Sequence, residues 1–348
     1  MRFGFVVNDV QTEQAGFTTT RLAMAATRLG HEAWILGVAD FVYAPDGSIR
    51  ASARTVHHRE HESLATFLKE IQSDEARIET VDAGALDVLM LRNDPSEDTA
   101  DRAWAQTPGI LFGQLAMRHG VIVLNDPVNL ANAINKTYFQ HFPEQVRPRT
   151  CISRNRADIK DFIAKQNGQA VIKPLQGSGG ASVFLIREAD AANINQMIEA
   201  VLRDGYCIAQ EYLPAAQEGD VRLFVMNGRP LKKDGKYAAF RRVNKTGDMR
   251  SNMHSGGESE PAEIDRAALR LVELVRPKLV ADGMFLVGLD IVKDKLMEIN
   301  VFTPGGLGSA QNATGVDFAE VVVHDLERKV RCRRHYGGSI SNVTIATL

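Results

Sequence analysis

The chain opens with a short apolar run, RFGFVV, that ends at two polar residues, Asn8 and Asp9. A run of this length, rich in β-branched and aromatic residues, predicts a buried strand. The segment that follows, TTTRLAMAATRLG, places its leucines and alanines on one helical face, with threonines able to cap its start and Gly30 at its end. Because AWILGV then reads as another strand, the pattern predicts a β-α-β unit.

The same alternation continues along the N-terminal third of the chain. ALDVLMLRNDP predicts a strand that ends in polar residues, and ILFGQLAMRHGVIVLNDP predicts a helix, a stop at Gly120 and a further strand. We therefore expect a parallel sheet with helices packed on it. Ligands bind such sheets at the carboxyl ends of the strands. The polar residues at those ends are Asn8, Asp9, Arg92, Asn93, Asp94, Asn125 and Asp126.

Beyond this sheet the pattern changes. NLANAINKTYFQHF predicts a helix that contains Lys136, and Pro143 and Pro148 then mark a new unit. From about residue 150 short strands alternate with helices, which predicts an α+β unit built around hairpins. Residues 331–348 are basic and then polar, without an amphipathic period. They predict a surface tail.

The composition narrows the class of protein. With 44% hydrophobic and 24% charged residues among 348, the chain is ordinary for a globular protein. Its net charge of -2 gives no global electrostatic case for nucleic acid or an anionic membrane. The three isolated cysteines predict buried free thiols in a reducing compartment. Without a signal sequence or a run of 18 apolar residues, we expect a soluble cytoplasmic protein.

The segment AVIKPLQGSGGASVFLI raises the question of a phosphate-binding loop. Lys173 precedes the glycines and no Gly-Lys-Ser/Thr follows them, so the segment does not match a P-loop. Because ASVFLI reads as a strand, the loop is expected to join two antiparallel strands, and its backbone N–H groups could cover phosphates. Taken alone, the segment favours a wide hairpin with glycines for turn geometry over a phosphate site.

A second hairpin changes that balance. FLVGLDIVKDKLMEINVF predicts two interior strands, with Glu298 and Asn300 on one face and Asp290 opposite them if the strands pair in register. Two carboxylates and a carboxamide on an apolar hairpin are costly unless a cation neutralises them. Oxygen ligands of this kind suit a magnesium–nucleotide site. The solvated face of an edge hairpin would also explain them, but it suits interior strands less well.

Nine Lys or Arg residues fall between positions 222 and 250. Arg222, Arg242 and Arg250 are placed to clamp phosphate or carboxylate groups, where the planar guanidinium matters. We expect the lysines around KKDGK to form a solvated surface.

These segments together resemble the ATP-grasp fold, and most closely the prokaryotic glutathione synthetases. The motifs that carry the resemblance are NAINKTYF, VIKPLQGSGGASVF, AQEYLP with GDVRLFV, FRRVNKTGDMRSNMHSGG, and LVGLDIV with LMEINV. Together with LRNDP near the N-terminus, they extend the similarity over residues 1–325. The resemblance implies an N-terminal α/β domain (1–128), a small lid subdomain (129–213), a large subdomain with the metal site (214–330) and a tail (331–348).

The resemblance also implies site residues and ligands. ATP would be bound by Lys136, Lys173, Gly177, Ser178, Gly179, Gly180, Gln210, Glu211, Tyr212, Leu213 and, at the ribose, Asp220. Mg²⁺, or Mn²⁺ in its place, would be bound by Asp290, Glu298 and Asn300. Arg222 and Arg242 would be catalytic, and the substrates would contact Arg92, Asp94, Arg250, Asn252, Thr303, Gly305 and Gly306. Family members are often homo-oligomers, so a homo-oligomer is implied as well.

The implied reaction joins a carboxylate to an amine through an acyl phosphate, with γ-glutamylcysteine and glycine as substrates. Two segments depart from the family pattern: FTPGGLGSAQNATG after the metal hairpin, and the entry loop NDVQTEQAGFTTT. Both face the expected substrate side, so the sequence is also compatible with a ligase for a different acyl and amine pair. Two further hypotheses are a non-catalytic nucleotide-binding module and a polyanion-binding role for the basic stretch.

Overall fold

A computed structural model describes residues 1–98, 100–177, 182–190, 192–243 and 258–348. It has the expected α/β and α+β architecture, with a seven-stranded, a four-stranded and a six-stranded sheet and a two-stranded ribbon among the described residues. The strands are β1 (Arg2–Val7), β2 (Glu32–Gly37), β3 (Phe41–Tyr43), β4 (Ile49–Thr55), β5 (Arg77–Asp82), β6 (Val88–Leu91), β7 (Ile122–Leu124), β8 (Thr150–Ser153), β9 (Ala170–Pro174), β10 (Phe184–Ile186), β11 (Cys207–Glu211), β12 (Asp220–Met226), β13 (Arg229–Pro230), β14 (Lys232–Lys233), β15 (Lys236–Tyr237), β16 (Ala239–Val243), β17 (Glu258–Glu260), β18 (Leu286–Val292) and β19 (Lys295–Asn300). The helices are α1 (Thr18–Arg28), α2 (Leu64–Gln72), α3 (Pro108–Arg118), α4 (Pro127–Leu130), α5 (Arg156–Lys165), α6 (Ile194–Leu202), α7 (Arg266–Ala281), α8 (Leu307–Thr314), α9 (Ala319–Tyr336) and α10 (Asn342–Thr347).

The N-terminal sheet has the order β3-β4-β2-β1-β6-β7, with β5 paired to β4. Strand β1 lies in its interior, parallel to β2 and β6, and β6 is parallel to β7. Residues 3–7 are all buried, as expected for a strand covered on both faces. The predicted β-α-β unit is confirmed, because α1 connects β1 to β2. The start of α1 differs from the prediction, since its N-cap is Phe17 and has no side-chain capping bond.

The helix predicted around Lys136 is wrong. Helix α4 ends at Leu130, and short 3-10 turns, Ala131–Ala133 and Lys136–His141, follow it. The side chain of Asn135 explains the break, because its Oδ1 accepts from the backbone N of Thr137 at 3.0 Å. Such a local side-chain bond competes with the helical pattern and starts a new turn.

The small four-stranded sheet has the antiparallel order β10-β9-β11-β8. Helices α5 and α6 pack on one of its faces through an apolar cluster that includes Ile159, Ile198, Ile172 and Ala209. This cluster is separate from the other two cores of the described residues. The predicted hairpin is confirmed as well, since β9 and β10 are antiparallel on either side of the glycine-rich segment.

The large sheet has the order β17-β16-β12-β18-β19, with β13 paired to β12, and its strand pairs are antiparallel. Its apolar face contributes Leu223, Leu289 and Ile299 to a core shared with α7 and with the N-terminal sheet. A second core also joins residues of both units. The N-terminal and large units are thus packed together through continuous apolar contacts. The polar site lies on the other face of the large sheet, which it shares with Phe224 and Phe240 of the second core.

The surface tail predicted at residues 331–348 is wrong. Helix α9 continues to Tyr336, and α10 then packs with Asn342, Ile345 and Ala346 buried. The carboxamide of Asn342 pairs with β7: its Oδ1 accepts from Val123 N at 3.0 Å and its Nδ2 donates to Val123 O at 2.8 Å. The C-terminal helix therefore closes the edge of the N-terminal sheet, where an open edge would leave backbone groups unpaired.

The state of the three cysteines agrees only in part with the prediction. The three cysteines are free, but only Cys207 is buried, while Cys151 and Cys332 are partly exposed. None of the helices within the described ranges is long and apolar enough to cross a membrane.

Candidate active site

The alternation of side chains along the large sheet gathers the predicted polar residues on one face. Strand register places Arg222 opposite Asp290, and Asp290 opposite Glu298. Asp220 lies opposite Arg242, and it precedes Arg222 by two residues on β12. Because residues two apart on a strand share a face, these side chains all point to the side that α7 leaves open. The predicted pairing of Asp290 with Glu298 is therefore present.

Asp290 is the centre of an ion-pair network. Arg222 Nε donates to Asp290 Oδ1 and Arg222 Nη2 to Asp290 Oδ2 at 2.9 Å. Arg242 Nη2 lies 2.7 Å from Asp290 Oδ2, and Arg242 Nε also donates to Asp220 Oδ2 at 3.0 Å. Burial by itself would raise the pKa of Asp290, but the two guanidinium groups outweigh it and lower this pKa to about 2. Asp290 is thus an anion, although only 3% of it is exposed.

The predicted metal ligands differ in the hydrogen bonds and ion pairs that they already form. Asn300 Nδ2 donates to Asp290 Oδ2 at 3.3 Å, which leaves the amide Oδ1 directed away from that bond. Within the described residues no hydrogen bond or ion pair involves the Glu298 carboxylate. The same part of the chain has no group of three His, Cys, Asp or Glu side chains suited to a metal, so the set depends on the Asn300 oxygen. Oxygen donors with one ionised and one unpaired carboxylate fit a hard divalent cation.

Lys173 reaches the same region from the small sheet. Since Ile172 and Ala209 face the helices, Lys173 and Gln210 point to the other side, where Lys173 Nζ donates to Gln210 Oε1 at 3.1 Å. Burial, followed by the positive charge of Lys136, lowers the pKa of Lys173 to about 8, although Glu298 and Asp290 act in the opposite direction. Two lysines and two carboxylates from three segments are therefore within electrostatic reach of one another.

The predicted adenine segment, residues 210–213, follows directly along β11. Gln210 is buried, and its Nε2 donates to Thr150 Oγ1 at 3.4 Å. Glu211 forms an ion pair with Arg149 at 3.1 Å. The hydroxyl of Tyr212 is buried without a hydrogen-bond partner among the described residues. An unpaired buried hydroxyl is costly, so a ligand that bonds to it would remove that cost.

The N-terminal unit contributes Arg92 and Asp94. Arg92 is buried and donates to Phe302 O at 3.4 Å and Pro304 O at 3.3 Å. Burial raises the pKa of Asp94, and the negative charge of Glu298 adds to this effect. Hydrogen bonds from Ser96 act in the opposite direction but do not cancel it. Asp94 thus lies within electrostatic reach of Glu298, and Arg92 holds the segment that follows the metal hairpin.

That segment, residues 301–308, is fixed from both sides. Arg222 Nη1 donates to Gly305 O at 3.0 Å, opposite the bonds made by Arg92. Gly306 has a φ of 96° and lies so close to the ring of Phe240 that a Cβ would come within 2.4 Å of it. Only glycine fits this position without displacing the ring. Thr303 is partly buried between these contacts.

Two of the predicted carboxylates already have partners, and several other predicted residues lie outside the described ranges. Asp220 is bound by Arg242, and Glu211 by Arg149, so neither carboxylate lacks a partner. Gly177 is described, with a φ of 122°. Ser178, Gly179, Gly180, Arg250 and Asn252 lie outside the described residues.

Two residues near the site have contacts that the sequence did not predict. Asn125 was expected on the ligand side, but its carboxamide binds the backbone of the metal hairpin: Oδ1 accepts from Phe285 N at 2.7 Å and Leu286 N at 3.0 Å, and Nδ2 donates to Val301 O. Glu13, in the entry loop, lies within electrostatic reach of Arg92. No periodicity marks either residue, although both belong to segments that the sequence placed near the strand ends.

Solved structures of other proteins share this fold. The chain is similar to the D-cycloserine synthetase DcsG, with 15% identity, a TM-score of 0.60 and coverage of 93% of this chain and 99% of the other. It is also similar to the ATP-grasp ligase PsnB complexed with minimal precursor, Mg and ADP, with 16% identity, a TM-score of 0.58 and coverage of 94% and 98%. At such identities the likeness concerns the fold, and the fold is ATP-grasp.

The family is defined by its own domain models. The N-terminal domain of prokaryotic glutathione synthetase matches residues 1–130, and the ATP-grasp domain of the same enzyme matches residues 135–315. The chain therefore belongs to the prokaryotic glutathione synthetase family. It is 34% identical to glutathione synthetase of Salmonella typhimurium over 82% of this chain and 85% of the relative. Against that of Gloeobacter violaceus it is 32% identical, over 93% and 95%.

Proposed function

We propose that this protein uses ATP to join γ-glutamylcysteine to glycine. The observation that carries the proposal is the row of Arg222, Asp290 and Glu298 across one sheet face, with Lys173 within electrostatic reach. Such a row places cations and oxygen ligands around the phosphates of a nucleotide, in a chain that belongs to a family of ATP-dependent amide-forming ligases. The substrates are small molecules or peptides, and the particular pair follows from the relatives.

The reaction has two steps. A carboxylate oxygen attacks the γ-phosphorus of ATP, the bond to the bridging oxygen breaks, and ADP leaves. The amine nitrogen then attacks the acyl carbon, a proton leaves the nitrogen, and phosphate departs from the tetrahedral intermediate. Arg222 and Arg242 supply fixed positive charge for the transferred phosphoryl group and for the oxyanion. Positioning and charge do most of this work, so no nucleophilic side chain is required.

The nucleotide would lie between the small and large sheets. Lys136 and Lys173 would bind its phosphates, and the segment from Gly177 to Gly180 would cover them. Residues 210–213 would bind adenine, with the Tyr212 hydroxyl as a donor or acceptor that lacks a partner in the described residues. Asp220, which Arg242 holds in place, would contact the ribose.

Asp290, Glu298 and Asn300 would hold Mg²⁺, because their oxygens match the ligands that this ion prefers. When bound, the ion neutralises negative charge on the phosphates. Asp290 contributes an ionised carboxylate at any pH above about 2, and Arg222 and Arg242 hold it in place. Mn²⁺ accepts the same ligands and could replace Mg²⁺.

The acyl and amine substrates would meet the N-terminal unit and the segment 301–308. Arg92 and Asp94 would contact them from the end of β6, and Thr303, Gly305 and Gly306 from the other side. Arg250 and Asn252 are assigned to the same role by resemblance alone. Arg92 and Arg222 hold this segment by its carbonyl groups.

A coupled assay of ADP release tests the proposal. Turnover with γ-glutamylcysteine and glycine, and with no other pair of similar size, is the expected result. The segment 302–308 differs from the family pattern, which favours a second candidate, a ligase for another acyl and amine pair. Turnover only with such a pair would replace the substrates and keep the reaction. A homo-oligomer, testable by light scattering, and a cytoplasmic location are also part of the proposal.

A further inference from the structure

Glu13 occupies an unusual position in the entry loop. It follows the 3-10 turn Val10–Thr12, and its backbone is fixed by Gln72, whose Nε2 donates to Glu13 O at 3.0 Å. The side-chain atom Oε2 is buried and has no hydrogen-bond partner among the described residues. A carboxylate oxygen that is both fixed and unpaired is costly in the free protein.

The charges around Glu13 do not neutralise it. Among the described residues, the positive charge of Arg92 lowers the pKa of Glu13 and the negative charge of Glu97 raises it. The described structure contains no ion pair between Glu13 and Arg92, because the guanidinium of Arg92 is bonded to Thr19 Oγ1 at 3.3 Å and to two backbone carbonyls of the segment 301–308. The hydroxyl of Thr20 is the other polar group beside the Glu13 carboxylate.

The position of Glu13 relates it to the reaction. Arg92, whose charge acts on Glu13, donates to the carbonyl oxygens of Phe302 and Pro304, just after the strands of the metal hairpin. Helix α1, which begins shortly after the loop turn, also touches this segment, because Leu307 N donates to Thr18 Oγ1 at 3.3 Å. Glu13 thus lies within electrostatic reach of the arginine that holds the segment proposed to meet the substrates.

We propose that Glu13 binds the non-reacting ammonium group of the carboxylate substrate and so selects acyl substrates that carry a free amino group. A buried carboxylate with an unpaired oxygen is completed by a cation that can donate hydrogen bonds. An amino-acid ammonium group is such a cation, and it is part of the acyl substrate proposed above. The inference therefore rests on the proposed function, and it adds a specificity-determining residue in a loop that departs from the family pattern.

The protonation of Glu13 gives a second observable. Burial, against the opposing effect of Arg92, raises the pKa of Glu13 to about 7. An ammonium group binds the ionised form, so the proton must leave before or during binding. Below pH 7 the KM for the acyl substrate should rise with falling pH, and glutamine at this position should remove that dependence.

The test is a cycle of two enzymes and two substrates. Wild type and Glu13→Gln are compared with γ-glutamylcysteine and with glutarylcysteine, in which hydrogen replaces the ammonium group. At pH 8 wild type should prefer the amino substrate by roughly 10- to 100-fold in kcat/KM, as a charged hydrogen bond provides. Glu13→Gln should lose most of that preference. Glu62→Gln, at an exposed glutamate between β4 and α2, should keep it.

The outcomes separate the two proposals. If Glu13→Gln lowers kcat/KM equally for both substrates, the ammonium contact is overturned and a structural role remains. If wild type does not use γ-glutamylcysteine, the substrate proposal fails, and the cycle is run with the acid found by ADP release and its analogue without the amino group. An acyl substrate that has no amino group would overturn the role of Glu13.

Discussion

Arg222 and Asp290 form a two-point contact across neighbouring strands of the large sheet. The Nε and Nη2 atoms of Arg222 donate to the two carboxylate oxygens of Asp290, while its Nη1 donates to Gly305 O. One guanidinium thereby connects the metal hairpin to the segment expected to meet the substrate. Gly288 makes room for it, because a Cβ there would approach Arg222 Cδ to 3.1 Å.

Replacing Arg222 by lysine should impair the reaction more than the fold. Lysine keeps the charge but cannot bond both Asp290 oxygens and Gly305 at once. We expect kcat/KM to fall by about 100-fold or more and the free energy of unfolding to fall by about 1–3 kcal/mol. ADP release and urea unfolding measure the two effects.

Arg241→Lys is the matched control, because Arg241 is on the opposite face of the same sheet region and its Nε donates to Glu218 O at 3.2 Å, away from the site. It should change activity less than about threefold. Equal losses in the two variants would contradict a role for Arg222 in the site.

Glu298→Gln should abolish turnover while the fold persists. The described residues contain no hydrogen bond or ion pair to the Glu298 carboxylate, so its loss should change the free energy of unfolding by less than about 0.5 kcal/mol. Removing its charge should weaken Mg²⁺ binding and reduce kcat by roughly 1,000-fold or more. The measurements are ADP release and titration of the Mg²⁺ dependence.

Asp294→Asn, in the exposed turn of the same hairpin, serves as the control and should leave both quantities unchanged. A biological activity that survived Glu298→Gln without ADP release would favour the non-catalytic binding module.

Glu13→Gln should stabilise the free protein at alkaline pH. The folded pKa of Glu13 is raised to about 7 from an ordinary value of 4.5, so its stability contribution is full below pH 4.5 and is lost as pH rises through 7. The neutral glutamine avoids this loss. Between pH 5 and pH 8 the advantage of the variant over wild type should grow by roughly 2 kcal/mol.

Urea unfolding of wild type, Glu13→Gln and the exposed control Glu62→Gln at both pH values measures this difference. If the free energy of unfolding of Glu13→Gln differs from that of wild type by the same amount at pH 5 and pH 8, that result contradicts a raised pKa of Glu13 in the folded protein.

Local patterns allowed the strands and their faces to be predicted, because alternation fixes which side chains share a face. The pairing of Asp290 with Glu298 followed from hairpin register alone. The contact of Arg222 with Asp290 did not, since the adjacency of β12 and β18 depends on the order of the whole sheet. The Glu13 position also could not be predicted, because a loop has no period and the burial of its carboxylate arises from distant residues.

The C-terminal segment shows the same limit in another form. Six residues, 342–347, are too few to form a stable helix alone, and their pattern carries little signal. Tertiary contacts with α9 stabilise them, because buried Lys329 donates to Ile345 O at 3.1 Å and to Leu348 O at 3.3 Å. Tertiary contacts therefore produced a packed helix where the sequence predicted a surface tail.

Asn342→Asp tests whether α10 is structural. The Nδ2 of Asn342 donates to Val123 O at 2.8 Å and to Asp126 Oδ2 at 2.9 Å, so aspartate would bring an acceptor, and a negative charge, against both oxygens. We expect the free energy of unfolding to fall by about 2–4 kcal/mol, with kcat and KM unchanged well below the melting temperature. Asn195→Asp, on the exposed side of α6, should change stability by less than about 0.5 kcal/mol. Urea unfolding of the two variants decides the point, because a surface tail would make Asn342→Asp as harmless as its control.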